Sequence, residues 1–181
     1  MKIFLLRHAE STSNATNKAD SQIDAELTKK GLKQARDLIP VLQRLEIDIF
    51  VVSPLKRTLE TIKPFLGTIK KQVLLKNELT LERNLGDFTG TPMETFQKFC
   101  DDNGLDRVFH TPPNGESIAD TYKRAKEFLN FLLIRYSSKK VLVCGHKNFL
   151  MCLEIAITGK KIEKYYSYKA LKTGELREFD I

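Results

Sequence analysis

Short unbroken apolar runs alternate with stretches of helical period along this chain, which argues for an α/β fold. Ile3–Leu6 is a continuous apolar run, the pattern of a buried strand. Thr28 is placed to cap a helix whose face is Leu32, Ala35, Ile39 and Leu42, with Pro40 expected to kink or shorten it. Ile47–Val52 reads as the next strand. A second helix is expected from near Pro54, with Leu55, Leu59 and Ile62 inward and Pro64 disturbing its end. Val73–Leu75 is a short strand. Residues Asn77–Asn114 are irregular, with a helix expected over Met93–Cys100; such long connections often build sites. The clearest helix is Ser117–Tyr136, striped by Ile118, Tyr122, Ala125, Leu129, Leu132 and Tyr136. Ser117 is expected to cap it, with Asp120 completing a capping box. Lys140–Cys144 is a third buried strand, Gly145-His146 ends it, and a helix follows through Ala156. Glu175–Phe179 is expected as a last strand at a sheet edge.

Composition narrows the class. With 181 residues, 41% hydrophobic and 29% charged, the chain suits one globular domain over residues 1–181. The apolar run at the N-terminus is four residues, too short for a signal peptide core, and no stretch approaches a membrane span. Cys100, Cys144 and Cys152 show no metal-ligand spacing, and reduced thiols fit a cytoplasmic protein. The net charge is +7, from 30 Lys and Arg against 23 Asp and Glu. The lysines are scattered in pairs (Lys29-Lys30, Lys70-Lys71, Lys139-Lys140, Lys160-Lys161) with no interleaved aromatics, which argues against nucleic acid.

Two of the three histidines, His8 and His146, directly follow predicted strands. In an open parallel sheet, ligands bind beyond the carboxyl ends of the strands, so these two rings can converge on one pocket. A neutral imidazole nitrogen can attack phosphorus, and an adjacent guanidinium such as Arg7 can neutralise the phosphate. Arg57, just past the second strand, can be a second clamp; the alternative is an exposed helix arginine. Lys56 is read as a surface residue pairing with Glu60. Glu82, held near a dianionic ester, would have a raised pKa and serve as acid and then base. Local sequence alone favours a loop glutamate paired with Arg83. His110 is read as a surface residue, and the Tyr165-Tyr166-Ser167-Tyr168 cluster as packing.

Leu6-Arg7-His8-Ala9-Glu10-Ser11 with Asn14 resembles the signature of the histidine phosphatase superfamily, the phosphoglycerate mutase-like group. Five further segments follow in the family's order. They are Asp24-Ala25-Glu26-Leu27-Thr28 with Gly31 and Gln34-Ala35; Ser53-Pro54-Leu55-Lys56-Arg57-Thr58 with Thr61; Leu81-Glu82 with Gly86 and Gly90; Pro113-Asn114-Gly115-Glu116-Ser117; and Val143-Cys144-Gly145-His146. The resemblance implies a three-layer α/β/α sandwich around a mostly parallel sheet with an antiparallel edge strand. It implies that His8 is the phosphorylated nucleophile and that Arg7, Arg57 and a protonated His146 bind the phosphoryl oxygens. Asn14 adds a donor, and Glu82 is the proton donor and then base, with no metal or cofactor. Three positions depart from the family's pattern: Ala9 stands for a common glycine, Thr89 for a frequent acid, and Lys147 for a small residue. Lys147 either faces the pocket or points to solvent. Glu116 either reaches the pocket rim or favours the dipole of the long helix.

A compact chain leaves a phosphohistidine open to water, so phosphomonoester hydrolysis of a small phosphorylated metabolite is expected. Phosphoglycerate mutase-type transfer, a phosphoprotein phosphatase and a catalytically silent binding protein on the same fold are the alternatives.

Overall fold

The computed structural model describes residues 1–69 and 73–181; the Lys70-Lys71 pair lies outside the described residues. Five strands form one sheet in the order β3-β2-β4-β1-β5. They are β1 (Lys2–Arg7), β2 (Ile49–Val52), β3 (Val73–Lys76), β4 (Lys140–Gly145) and β5 (Leu176–Asp180). All neighbouring pairs are parallel except β1 with β5, the antiparallel edge. The helices are α1 (Thr12–Ala15), α2 (Lys29–Asp37), α3 (Ile39–Leu45), α4 (Lys56–Leu66), α5 (Thr95–Asp102), α6 (Ile118–Tyr136) and α7 (Lys147–Thr158).

Strand side chains alternate between two cores, because successive residues point to opposite faces. Ile3, Leu5, Val141 and Val143 pack against Ala125, Phe128 and Leu132 of α6 and Phe149 of α7. Phe4, Leu6, Phe50 and Leu142 pack on the other face against Leu38, Leu42, Ile62 and Phe65. Helices therefore cover both faces, giving the expected three layers.

Local expectations shift where tertiary packing overrides spacing. Thr28 caps α2 by accepting from the Gly31 N–H at 3.0 Å. The inward face of this region, however, runs Gly31, Ala35, Leu38, Leu42, and Leu32 is 40% exposed. The reason is close approach: a Cβ on Gly31 would lie 2.1 Å from the Glu10 carbonyl oxygen, so α2 turns its glycine to the chain after β1. Pro40 marks the break between α2 and α3. Strand β2 begins two residues later than expected, because Glu46 turns into the left-handed region and Asp48 hydrogen-bonds Lys140 at the base of β4. Helix α4 starts at Lys56 and runs through Pro64 to Leu66, its last turn held by buried Phe65. Lys56 pairs with Glu26, not Glu60, whose carboxylate accepts from the Leu27 N–H. The Ser117–Asp120 capping box of α6 is formed.

Residues 77–117 are tied down rather than loose. Arg124 of α6 donates to the carbonyls of Leu79 and Leu81 and pairs with Glu116 at 2.9 Å. Glu116 also accepts from the Asn84 N–H, so it anchors this segment and does not line the pocket. Gly86 sits at φ +53°, and a Cβ there would meet the Pro113 carbonyl oxygen at 1.9 Å. Gly86→Ala is therefore expected to destabilise the fold by about 2–3 kcal/mol. Urea denaturation checks this; a loss under half a kcal/mol would show that the segment relaxes freely.

Candidate active site

Strand register assembles the centre of the site. Arg7 lies opposite Gly145 in the β1–β4 ladder, and the His8 N–H donates to the Gly145 carbonyl at 3.0 Å. His8 and His146, one residue beyond each strand, thus become neighbours with ring centroids 5.2 Å apart. An open cavity is lined by His8. Arg7, Asn14, Arg57, Glu82, Lys147 and Asn148 stand on its wall.

His8 is 3% exposed. Its Nδ1–H donates to the Ala9 carbonyl at 2.8 Å, while Nε2 makes no hydrogen bond among the described residues, and His8 lines the cavity. Burial, then the Arg57 and Arg7 charges, push its pKa down to about 3, so the ring is neutral and nucleophilic at physiological pH. Ala9, a departure from the family's glycine, turns its methyl to Leu27 and Ala35. Its N–H donates to Thr61 Oγ1, and Thr61 in turn donates to the Arg57 carbonyl.

Arg57 is 1% exposed, unlike the exposed helix arginine local sequence also allowed. Nη1 donates to the Ile23 carbonyl at 2.6 Å, Nη2 to the Ser21 carbonyl at 2.8 Å, and Nε to His146 Nδ1 at 3.1 Å. Each Nη keeps one further N–H for the cavity. Arg7 donates through Nη1 to the Leu171 carbonyl at 2.9 Å, and its Nε is buried with no partner among the described residues. Asn14 accepts from the Ser11 N–H through Oδ1, leaving its amide N–H groups as the free end.

His146 is fully buried behind His8 and does not line the cavity. The protonated ring expected for it is not found. Arg57 Nε–H occupies Nδ1 as a donor, so Nδ1 carries no proton, and Nε2–H donates to Ser53 Oγ at 2.8 Å. Burial, then Arg57 and His8, hold its pKa well below the usual range. Positive charge beside His8 therefore comes from Arg57 and Arg7 rather than from His146.

Glu82 is 8% exposed and is not paired with the Arg83 side chain. Its carboxylate accepts from the backbone N–H groups of Arg83, Asn148 and Phe149 at 2.7–3.3 Å. The last two are first-turn amides of α7, whose N-cap residue His146 supplies no side-chain cap. Glu82 thus caps α7 from another part of the chain.

Several wall residues had no role assigned from sequence. Asn148 is fixed by buried Tyr165, whose hydroxyl donates to Asn148 Oδ1 at 2.7 Å, which leaves the amide N–H groups free. The Tyr165 hydroxyl thus does more than pack. Lys18, Asp20, Ser21, Arg83, Leu85 and Met93 also line the cavity. Ser53 and Thr61 lie in the quoted segments, but only the fold shows what they hold. Lys147 faces the cavity. His110 stacks on Phe96, lies tilted against Phe99 and is half-buried rather than on the surface.

The depressed His8 pKa predicts acid lability. In the unfolded chain the ring titrates near 6.5, but the folded ring refuses the proton until about pH 3. The unfolded state binds more protons in that window, so stability falls as pH drops through it, and His146 adds the same sign. His8→Ala is expected to flatten this decline in urea titrations between about pH 4 and 7. An unchanged slope would mean that other groups dominate.

Comparison with known proteins agrees with this geometry. The chain matches the histidine phosphatase superfamily (branch 1) over residues 3–181. It is 30% identical over 174 residues to phosphoserine phosphatase 1 of Hydrogenobacter thermophilus, covering 93% of this chain and 81% of that protein. It is 32% identical over 188 residues to the 2,3-bisphosphoglycerate-dependent phosphoglycerate mutase of Bradyrhizobium diazoefficiens, covering 95% and 87%. The α-ribazole phosphatase of Shigella flexneri superimposes with a TM-score of 0.84 at 21% identity, covering all of this chain and 91% of that one. With the family's segments present in order and gathered at one end of a shared sheet, the chain belongs to branch 1 of the histidine phosphatase superfamily.

Proposed function

We propose that this protein is a metal-independent phosphatase that hydrolyses a small phosphomonoester through a phosphohistidine on His8, acting in the cytoplasm. The observation that carries the reading is a buried neutral His8 whose Nδ1–H is held by a carbonyl, leaving Nε2 free beside two arginines and a carboxyl group. Arg7, Arg57 and Asn14 hold the phosphoryl oxygens; His146 orients Arg57 from behind and is the further phosphate ligand only if its Ser53 bond opens. Nε2 attacks phosphorus in line, the bond to the leaving oxygen breaks, and Glu82 gives that oxygen its proton. Water then attacks the phosphohistidine. The P–N bond breaks, Glu82 takes the proton from water, and inorganic phosphate leaves. Fixed donors at the phosphoryl site need no reorganisation as charge develops.

The cavity over His8 reaches solvent, so water can serve as the acceptor that hydrolysis needs. The named relatives include a phosphoserine phosphatase and a phosphoglycerate mutase, so both activities need measuring. Phosphate release from a panel of phosphometabolites is expected to exceed 3-phosphoglycerate isomerisation in a coupled assay; the reverse ranking would make this a mutase. Glu82→Gln should lower kcat on alkyl esters by roughly 10²–10⁴-fold. p-Nitrophenyl phosphate, whose phenolate leaves without a proton, should lose far less. Equal losses on both would remove Glu82 from the acid role.

A further inference from the structure

Glu82 stands on a stretch that is neither helix nor strand, residues 81–85, so no regular ladder holds its main chain in place. One guanidinium supplies what a ladder would. Arg124 Nη1 donates to the Leu79 carbonyl at 2.7 Å and to the Leu81 carbonyl at 2.8 Å, on the side before Glu82. Its Nε and Nη2 form a two-pronged pair with the Glu116 carboxylate at 3.1 and 2.9 Å. Glu116 reaches the side after Glu82. Its Oε2 accepts from the Asn84 N–H at 3.0 Å, and its own N–H donates to the Asn84 carbonyl at 2.7 Å. Both flanks of Glu82 are thus tied to one point on α6. Gln22 adds a bond to the Glu82 carbonyl at 2.9 Å from outside this pair.

The same side chain touches the place where the Glu82 carboxylate ends. The Arg124 guanidinium lies over the Phe149 ring, 5.5 Å from the centroid, and the Phe149 N–H is one of the amides that hold the carboxylate. Arg124 therefore contacts both the main chain that carries the acid and the start of α7 that receives it. It is not among the residues that line the cavity. Arg124 and Glu116 are both mostly buried, where water competes little with a two-pronged ion pair.

We propose that Arg124 is a positioning residue for the general acid: with Glu116 it sets where the Glu82 carboxyl group stands over the cavity. This rests on the phosphatase reading, in which Glu82 protonates the leaving oxygen. A misplacement of about 1 Å costs roughly 10²-fold in a step that needs the misplaced group. A step that does not need the acid is spared. The mark of Arg124 is therefore a change in leaving-group preference rather than a general loss.

The test compares Arg124→Met and Arg124→Lys with the unmodified protein and with Glu82→Gln. The alkyl esters are O-phosphoserine and glycerol 3-phosphate, whose alkoxides need a proton, and the aryl ester is p-nitrophenyl phosphate. The alkyl-to-aryl ratio of kcat in one sample does not depend on how much of the protein is folded, so a merely structural role leaves it unchanged. Arg124→Met should lower the ratio by roughly tenfold to a hundredfold. Arg124→Lys keeps the charge against Glu116 but not the fork to both carbonyls, and should recover part of it. Amide hydrogen exchange at Asn148 and Phe149, followed by NMR, reads the same displacement without turnover and should quicken by roughly tenfold in Arg124→Met. Unchanged exchange at both amides overturns the role of Arg124, and so does an unchanged ratio where Glu82→Gln lowers it. Faster exchange with a ratio that Glu82→Gln leaves unmoved overturns the acid role of Glu82 instead and leaves the Arg124 tie standing. Faster exchange without phosphate release by the unmodified protein overturns the phosphatase reading and likewise leaves the tie standing.

Discussion

Replacing His8 with alanine is expected to reduce phosphomonoester turnover by roughly 10³-fold or more. In the proposed reaction the ring supplies the atom that bonds to phosphorus, and no other unbonded nitrogen of its kind stands on the cavity wall among the described residues. His146, the nearest ring, has both nitrogens engaged by Arg57 and Ser53. It cannot substitute without breaking two buried hydrogen bonds. Brief incubation with a ³²P-labelled monoester followed by alkaline quench should leave label on the unmodified protein and none on the variant. The label should be acid-labile, as a phosphoramidate is. Binding of phosphate should survive, because Arg7 and Arg57 remain. Turnover above a tenth of the original rate would show that water attacks the ester directly.

Arg57→Ala should damage both stability and catalysis. The side chain fills a fully buried site and satisfies three acceptors: the Ser21 and Ile23 carbonyls and His146 Nδ1. Its removal strands all three and is expected to cost about 2–5 kcal/mol in urea denaturation. At a temperature where the variant stays folded, kcat/KM should fall by roughly 10²–10³-fold, the usual loss of a preorganised donor at developing charge. Arg57→Lys keeps the charge but cannot make three planar bonds, so it should recover stability poorly and activity in part. A variant with full activity would mean that Arg7 alone holds the phosphoryl group.

Much of the centre was legible because it lies next to strands. The apolar run Ile3–Leu6 fixes where Arg7 and His8 emerge, and Val141–Cys144 does the same for His146. Parallel pairing then makes proximity a matter of register. Contacts between distant segments were not legible. Local sequence favours a pair between Glu82 and its neighbour Arg83, yet the carboxylate meets the amides of a helix more than sixty residues away. Lys56 reaches Glu26 on another segment rather than the residue one turn along its own helix. The protonation of His146 depended on a guanidinium 89 positions earlier in the chain. Local spacing carries no signal for such pairs. The outer wall was unread for the same reason, since Asn148, Leu85 and Met93 carry no motif of their own.

Glu82 sits at a junction with an uncommon property: the group assigned to move protons is also the plug for the end of α7. In the proposed cycle, giving up its proton leaves the carboxylate that the α7 amides hold. The proton taken from water then restores the acid for the next cycle. Adaptation toward new substrates can vary Leu85 and Met93 freely, whereas drift at the plug would soften the helix and the chemistry together.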